Sequence, residues 1–249
     1  MIEIKNLSVE TRRGVKILQQ TSMHLGNGHL HVVIGPNGSG KTTLLKSMIG
    51  LIQPSQGSIL CDSININTLT PLAAASHMSY LGSEHSTPFA YTVEDIILWG
   101  RWHRHQGYPT KKDRQAALQA AQSLGIEHLM SRTVNTLSQG EQKKTHLAKS
   151  LCSEVQHYIW DEPLAPLDIR AALELMGLAT GLVRQGRLVV MSLHDISLAL
   201  QHADSLSILA KGKITWQGLP SDSECLIAIQ NVFDVKMARQ GHQINISLD

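Results

Sequence analysis

Residues Gly35 to Thr42 read GPNGSGKT, a run of residue types suited to holding phosphate. Glycines at 35, 38 and 40 let the backbone take positive φ and turn successive N–H groups toward phosphate oxygens. Pro36, Asn37 and Ser39 complete the loop. Lys41 is spaced to reach the β- and γ-phosphates, Thr42 to hold Mg²⁺ through its hydroxyl, and Thr43 to continue into a helix whose N-terminus faces the anion. A Gly-rich turn without a ligand is the alternative. The apolar strand signal from Leu30 to Ile34 before the loop and the helical spacing of Leu44, Leu45, Met48 and Ile49 after it argue for a P-loop and a bound nucleoside triphosphate.

A second cluster lies about 120 residues further on. His157 to Glu162, HYIWDE, is an apolar strand ending in two carboxylates, which suits a Walker B. Asp161 would hold Mg²⁺ through water and Glu162 would polarise the attacking water. A strand ending in Asp-Glu-Pro also occurs in surface turns; the upstream P-loop is what favours the catalytic reading. The next strand ends at Leu193-His194-Asp195, which puts an imidazole where ligands of open α/β sheets sit. His194 is a candidate γ-phosphate sensor, although a histidine there can also be a solvated loop residue.

These groups need a scaffold, and the order of elements describes one. Alternation at Ile2, Ile4, Leu7 and Val9, then Ile17 and Leu18 before a turn at Gly26–Gly28, predicts a small antiparallel sheet. Strands are expected at Ser58–Cys61 and Ser79–Leu81, with an Ala-rich helix from Pro71. From about Pro88 to Ser153 strand signals vanish, and helical periodicity covers Val93–Trp102, Lys111–Leu124 and Gln139–Leu151. Then β and α alternate: Tyr158–Trp160, Ile169–Val183, Leu188–Leu193, Ile196–His202 and Leu206–Leu209. Such alternation predicts an α/β fold with a mostly parallel sheet covered by helices. The last residues read as a small helix and short strands. We expect one domain over 1–249: residues 1–87 and 154–249 form the core with its antiparallel β subdomain, and 88–153 a helical insertion.

Composition excludes several classes. A chain of 249 residues with 42% hydrophobic residues can bury a substantial core. Net charge is +2 and aromatics are 4%, so no basic, aromatic-interleaved groove for nucleic acid is expected. No apolar run reaches the roughly 18 residues of a membrane span, and MIEIKNL lacks signal architecture, so a cytosolic protein is expected. Cys61, Cys152 and Cys225 are too dispersed for a C-x-x-C site. Among 13 histidines only His29/His31 and His103/His105 lie close in sequence, and no acidic or thiol ligand joins them.

Leu137-Ser138-Gln139-Gly140-Glu141 precedes a helix about two dozen residues before the Walker B. With it, the sequence resembles the ATP-binding subunits of ABC transporters, whose signature LSGGQ appears here as LSQGE. The resemblance runs from the Walker A (Gly35 to Thr43) and signature through the Walker B and a D-loop (Leu164 to Asp168) to His194. It implies a P-loop NTPase fold, ATP and Mg²⁺ as ligands, and ATP hydrolysis. It further implies a head-to-tail dimer of ATPase subunits, as homodimer or heterodimer, with each ATP between the P-loop of one protomer and the signature of the other. Ser138, Gln139, the Gly140 N–H, Glu141 and Asp168 would then belong to the nucleotide site, with the start of the signature helix offering donors to a γ-phosphate.

The chain departs from that pattern in places. The family's adenine-stacking aromatic is replaced by Glu10-Thr11-Arg12-Arg13, so either the base is held more weakly or a guanidinium of Arg12 or Arg13 lies on it; the alternative is that both arginines are solvated. Ser83 stands at the Q-loop glutamine position, a shorter reach to Mg²⁺ or water, with Glu84 a possible substitute. The D-loop reads LAPLD, and Glu141 replaces the signature's last glutamine. Thr92-Val93-Glu94-Asp95-Ile96 and Leu98-Trp99-Gly100-Arg101 are similar to a stretch in ATPases of ferric-siderophore, haem and cobalamin importers. That likeness implies metal-chelate import through polytopic membrane permease subunits at the cytoplasmic face of the inner membrane, with a periplasmic or surface binding protein; the alternatives are an ATPase of another transporter class, exporter or importer, or a nucleotide-binding regulatory module with little turnover. Trp99, Trp102 and Tyr108 would be anchors for the permease, Trp99 alternatively a core residue.

Overall fold

A computed structural model of the chain describes residues 1–82, 89–164, 169–240 and 243–247, those from 238 onward as backbone only. The first part comprises β1 (Ile2–Glu10), β2 (Lys16–Leu25), β3 (Leu30–Ile34), α1 (Lys41–Met48), β4 (Gln56–Cys61), β5 (Ile64–Asn65), α2 (Pro71–Ala74) and β6 (Met78–Leu81). Helices then dominate: α3 (Val93–Leu98), α4 (Trp102–His105), α5 (Lys111–Gln122) and α6 (Gln139–Cys152). The chain continues through β7 (His157–Asp161), α7 (Ile169–Arg184), β8 (Leu188–Ser192), α8 (Ile196–His202), β9 (Ser205–Ala210), β10 (Lys213–Gly218), α9 (Ser223–Phe233), β11 (Lys236–Gln240) and β12 (Gln243–Ser247).

Two sheets carry the molecule. One is antiparallel in the order β2-β1-β4-β5; the other has the order β10-β9-β3-β8-β7-β6 and is parallel except for the β9–β10 pair. Strands β3, β7 and β8 are buried at every residue, which is why each reads as a continuous apolar run rather than an alternating one. The strand β10 was missed by the sequence reading. Its alternating exposure marks an edge strand with one wet face, and its apolar signal is correspondingly thin.

Three apolar cores result. Val32, Ile34, Trp160 and Met191 pack with Leu175 and Met176 of α7 and Ile229 of α9 on one face of the large sheet. On the other face Val33, Ile159 and Val190 meet Leu44, Leu45 and Met48 of α1 and the inward residues of β1 and β2. The third core joins Val93, Ile96 and Ile97 of α3 to Ala117 and Ala121 of α5 and Ala148 of α6. The helix expected over Val93–Trp102 is broken by a 3₁₀ turn at Trp99–Arg101. A Cβ at Gly100 would stand 2.0 Å from the Lys149 carbonyl oxygen, so the chain closes on α6 at a point where only glycine fits. Arg101 beside it is 1% exposed and pairs Nε with Asp113 Oδ1 at 2.8 Å while donating from Nη1 to the Cys152 carbonyl.

Candidate nucleotide site

The phosphate loop stands between β3 and α1, and its shape follows from its glycines. Gly40, the N-cap of α1, has φ 108°, and Gly38 has φ 75°. A Cβ on Gly35 would lie 2.1 Å from the Leu209 carbonyl oxygen, so the start of the loop passes flush against β9. The loop bounds a cavity of about 360 Å³ lined by Ile17, by Asn37 through Thr43 and by Glu162. The Lys41 ammonium lies folded back, donating to the carbonyls of Gly35 at 2.7 Å and Pro36 at 3.3 Å. Burial pulls it below its usual range, opposed by the charges of Glu162 and Asp161. Ser39 Oγ is buried with no hydrogen-bond partner. A triphosphate fits this lining, since the glycine-rich loop from Asn37 to Thr43, Lys41 included, surrounds one concavity at the start of a helix.

The acidic pair lies at the carboxyl end of β7. Asp161 is fully buried. Its Oδ1 accepts a hydrogen bond from Ser192 Oγ at 2.7 Å, and its Oδ2 accepts one from Tyr80 Oη at 3.4 Å. Glu162 adopts φ 49°, a left-handed conformation that non-glycine residues reach only when held. Three contacts hold it: its N–H donates to Ser192 Oγ at 2.8 Å, its carbonyl accepts from Lys143 Nζ at 3.2 Å, and its Oε1 lies 2.7 Å from His194 Nε2. Lys41, Glu162 and His194, the three catalytic candidates, are thereby brought to one edge of the sheet. The sequence reading missed Ser192, Tyr80 and Lys143. No motif marks them, and their relevance arises from strand register (Asp161 opposite Ser192, Tyr80 opposite Ile159).

Ser138 is the N-cap of α6, not a contributor to the lining of its own subunit's phosphate cavity. Its Oγ accepts from the Glu141 N–H at 3.3 Å and donates to Glu141 Oε2 at 2.7 Å, while its own N–H donates to Oε2 at 2.8 Å. This is a capping box, and those bonds hold the Glu141 carboxyl below its usual range. Glutamate in place of glutamine therefore has a local structural use, and the S-x-x-E spacing in the sequence already contained that signal. Ser138 and Gln139 are exposed and Gly140 partly so.

Arg12 and Arg13 are both exposed in the β1–β2 turn, outside the lining of the phosphate cavity; the apolar side chain beside the loop is Ile17, with Val15 61% exposed next to it. Ser83 and Glu84, and Asp168 of the D-loop, lie outside the described residues. Trp99 is half-buried and meets Tyr91 edge-on at 4.7 Å, whereas Trp102 and Tyr108 are 48% and 88% exposed. The close histidine pairs are engaged locally: His31 lies between Ser205 Oγ and Ser207 Oγ with its pKa lowered by burial to about 3, and His105 Nε2 contacts the Leu98 carbonyl. Among the described residues one group could ligate a metal, Cys61, Asp62 and His157. It sits at the far end of β7 from the phosphate loop, and the Met1 ammonium already lies 2.6 Å from Asp62 and 3.0 Å from His157. No helix among the described residues is long and apolar enough to cross a membrane.

Residues 18–165 match the family described as ABC transporter. The chain is 32% identical over 233 residues to the hemin import ATP-binding protein HmuV of Rhodopseudomonas palustris (strain BisB18), covering 90% of this chain and 85% of that one. It is 32% identical over 223 residues to the petrobactin import ATP-binding protein FpuC of Bacillus anthracis, covering 88% and 82%. Among solved structures, an inward-facing putative metal-chelate type ABC transporter superposes with a TM-score of 0.79 at 26% identity, covering 99% of this chain and 95% of that one. With the phosphate loop, acidic pair and histidine at one sheet edge and the signature heading its own helix, the chain belongs to the ABC transporter family, as one of its ATPase subunits.

Proposed function

We propose that this subunit drives import of a metal chelate by hydrolysing Mg²⁺·ATP at the interface of a head-to-tail dimer docked on membrane permease subunits. The observation that carries the proposal is the division of labour within one chain. The phosphate loop, Asp161, Glu162 and His194 meet at one sheet edge, while Ser138 heads an exposed helix start outside the lining of that cavity. Two copies facing each other give every ATP both sets. Hemin and petrobactin as the cargo named for the relatives, together with the Thr92–Arg101 stretch, favour an iron chelate.

In this reading the loop N–H groups from Gly38 to Thr43 grip the β-phosphate, and Lys41 swings from the Gly35 and Pro36 carbonyls onto the β- and γ-phosphates. Thr42 Oγ1 and Asp161 would hold Mg²⁺, which would supply neutralisation of the phosphate charge. Glu162 takes the proton of the attacking water, and His194, already on Glu162 Oε1, orients that carboxylate and contacts the γ-phosphate. Adenine lies over the Val15–Ile17 edge with Arg12 or Arg13 across it. Ser83 and Asp168 complete the site from the Q-loop and D-loop. The exposed Trp102 and Tyr108 contact the permease, placing the subunit at the cytoplasmic face of the membrane, and a periplasmic or surface binding protein delivers the chelate.

Tagged protein captured under mild detergent, with its co-purifying partners identified and its ATPase activity measured, tests the reading. A polytopic permease whose vesicles take up an iron chelate on ATP addition is the expected result. Capture with an exporter-type permease, or uptake indifferent to ATP, would reject it.

A further inference from the structure

Lys143 is a lysine on the inward face of α6, 2% exposed. Burying an ammonium is unfavourable unless it is compensated; here the compensation comes from the Glu162 carbonyl at 3.2 Å and the nearby charges of Asp161 and Glu162. The bond falls on the one residue of the acidic pair whose backbone is left-handed. Five residues before Lys143, about 7 Å along the helix, stands Ser138, whose hydroxyl and N–H head the exposed first turn. The other end of α6 is tied to the same strand, because Trp160 Nε1 donates to Ser150 Oγ at 2.9 Å. The helix is thus pinned to β7 near its far end, while its near end holds the catalytic glutamate in its strained conformation.

We propose that Lys143 is a positioning residue that transmits engagement of Ser138 on the partner's nucleotide to Glu162 in its own site, coupling the two ATP sites of the dimer. The inference rests on the head-to-tail dimer proposed above. A rigid helix that shifts when its first turn meets a γ-phosphate carries Nζ with it, and the Glu162 carbonyl follows. The Glu162–His194 contact and the direction of the catalytic carboxylate then change together. Each protomer's base is set by the site it completes in trans.

The test compares the wild-type chain with Lys143→Met, which keeps the length and packing but removes the donor, and with Lys143→Arg, which restores a donor. ATP turnover, its Hill coefficient, ATP-dependent dimer formation by size exclusion, melting temperature, and amide hydrogen exchange of the 160–164 segment are measured on each. The expected outcome for Lys143→Met is kcat lower by about tenfold with KM within about twofold, a Hill coefficient near one, normal dimer formation, and faster exchange at 160–164 without nucleotide. Lys143→Arg should recover most of kcat and cooperativity. Met and wild-type proteins with the same turnover, cooperativity and exchange would overturn the proposal. So would an equal loss in both variants that tracks a lowered melting temperature, since that is a packing defect. A wild type that hydrolyses ATP non-cooperatively as a monomer overturns the dimer reading itself, and the coupling with it.

Discussion

At the start of α1 and at the start of α6 the chain places a helix N-terminus where an anion could sit, but the two ends are provisioned differently. Around α1, Ser39, Lys41 and Glu162, the last placed just after β7, line one cavity. Around α6 the first turn is exposed, and the Ser138 hydroxyl and N–H are both occupied by Glu141 of its own helix. The capping box keeps the first turn of α6 ordered without an anion, at a typical worth of about 1 kcal/mol. The phosphate loop has its side-chain neighbours in the same subunit, whereas the start of α6 is satisfied within its own helix. Under the proposed dimer the difference means that nucleotide affinity and turnover draw on different parts of this chain.

Mutations can separate the two ends. The largest effect is expected from Glu162→Gln, whose amide cannot take the water's proton: hydrolysis should fall by about 10²–10⁴-fold with ATP binding retained and nucleotide-bound dimers accumulating. Turnover within a few-fold of wild type, read from phosphate release, would remove Glu162 from the role of base. Lys41→Ala should act on binding, weakening ATP by about 10–100-fold through loss of charged hydrogen bonds; unchanged titration curves would detach the lysine from the phosphates. Ser138→Ala should leave ATP affinity of the monomer unaltered while turnover drops by about tenfold, the mirror image of the Lys41 result. If it instead weakens ATP binding to the monomer, the α6 end serves its own subunit and the contrast fails.

The smallest effect concerns the base. Arg12→Ala combined with Arg13→Ala should weaken ATP binding by up to about tenfold if a guanidinium covers the adenine. Removing two charges also weakens long-range attraction, screened over roughly 8–10 Å. Inorganic triphosphate measured beside ATP at two salt concentrations separates the terms. A loss confined to ATP supports stacking, and an equal loss for both ligands leaves adenine to the Val15–Ile17 edge alone.

The phosphate loop, the acidic pair, the histidine and the signature turn were all legible as linear strings, because each is a contiguous run whose spacing is set by local backbone chemistry: glycines for positive φ, a strand ending in carboxylates, a serine heading a helix. The alternation of strands and helices likewise predicted the parallel sheet, since buried strands and amphipathic helices have different periods. Ser192, Tyr80 and Lys143 carried no such signature. They come from a neighbouring strand on each side of Asp161 and from a helix packed beside it. Which residues surround Asp161 and Glu162 depends on strand register and on where α6 lies, and a string of residues does not state either. The break at Trp99–Arg101 has the same origin, because Gly100 is required by the Lys149 carbonyl, 49 positions away in the chain and in contact only once α6 has docked. Local order follows from neighbours along the chain, whereas the strained geometry of Glu162 is maintained by groups that meet only through the fold.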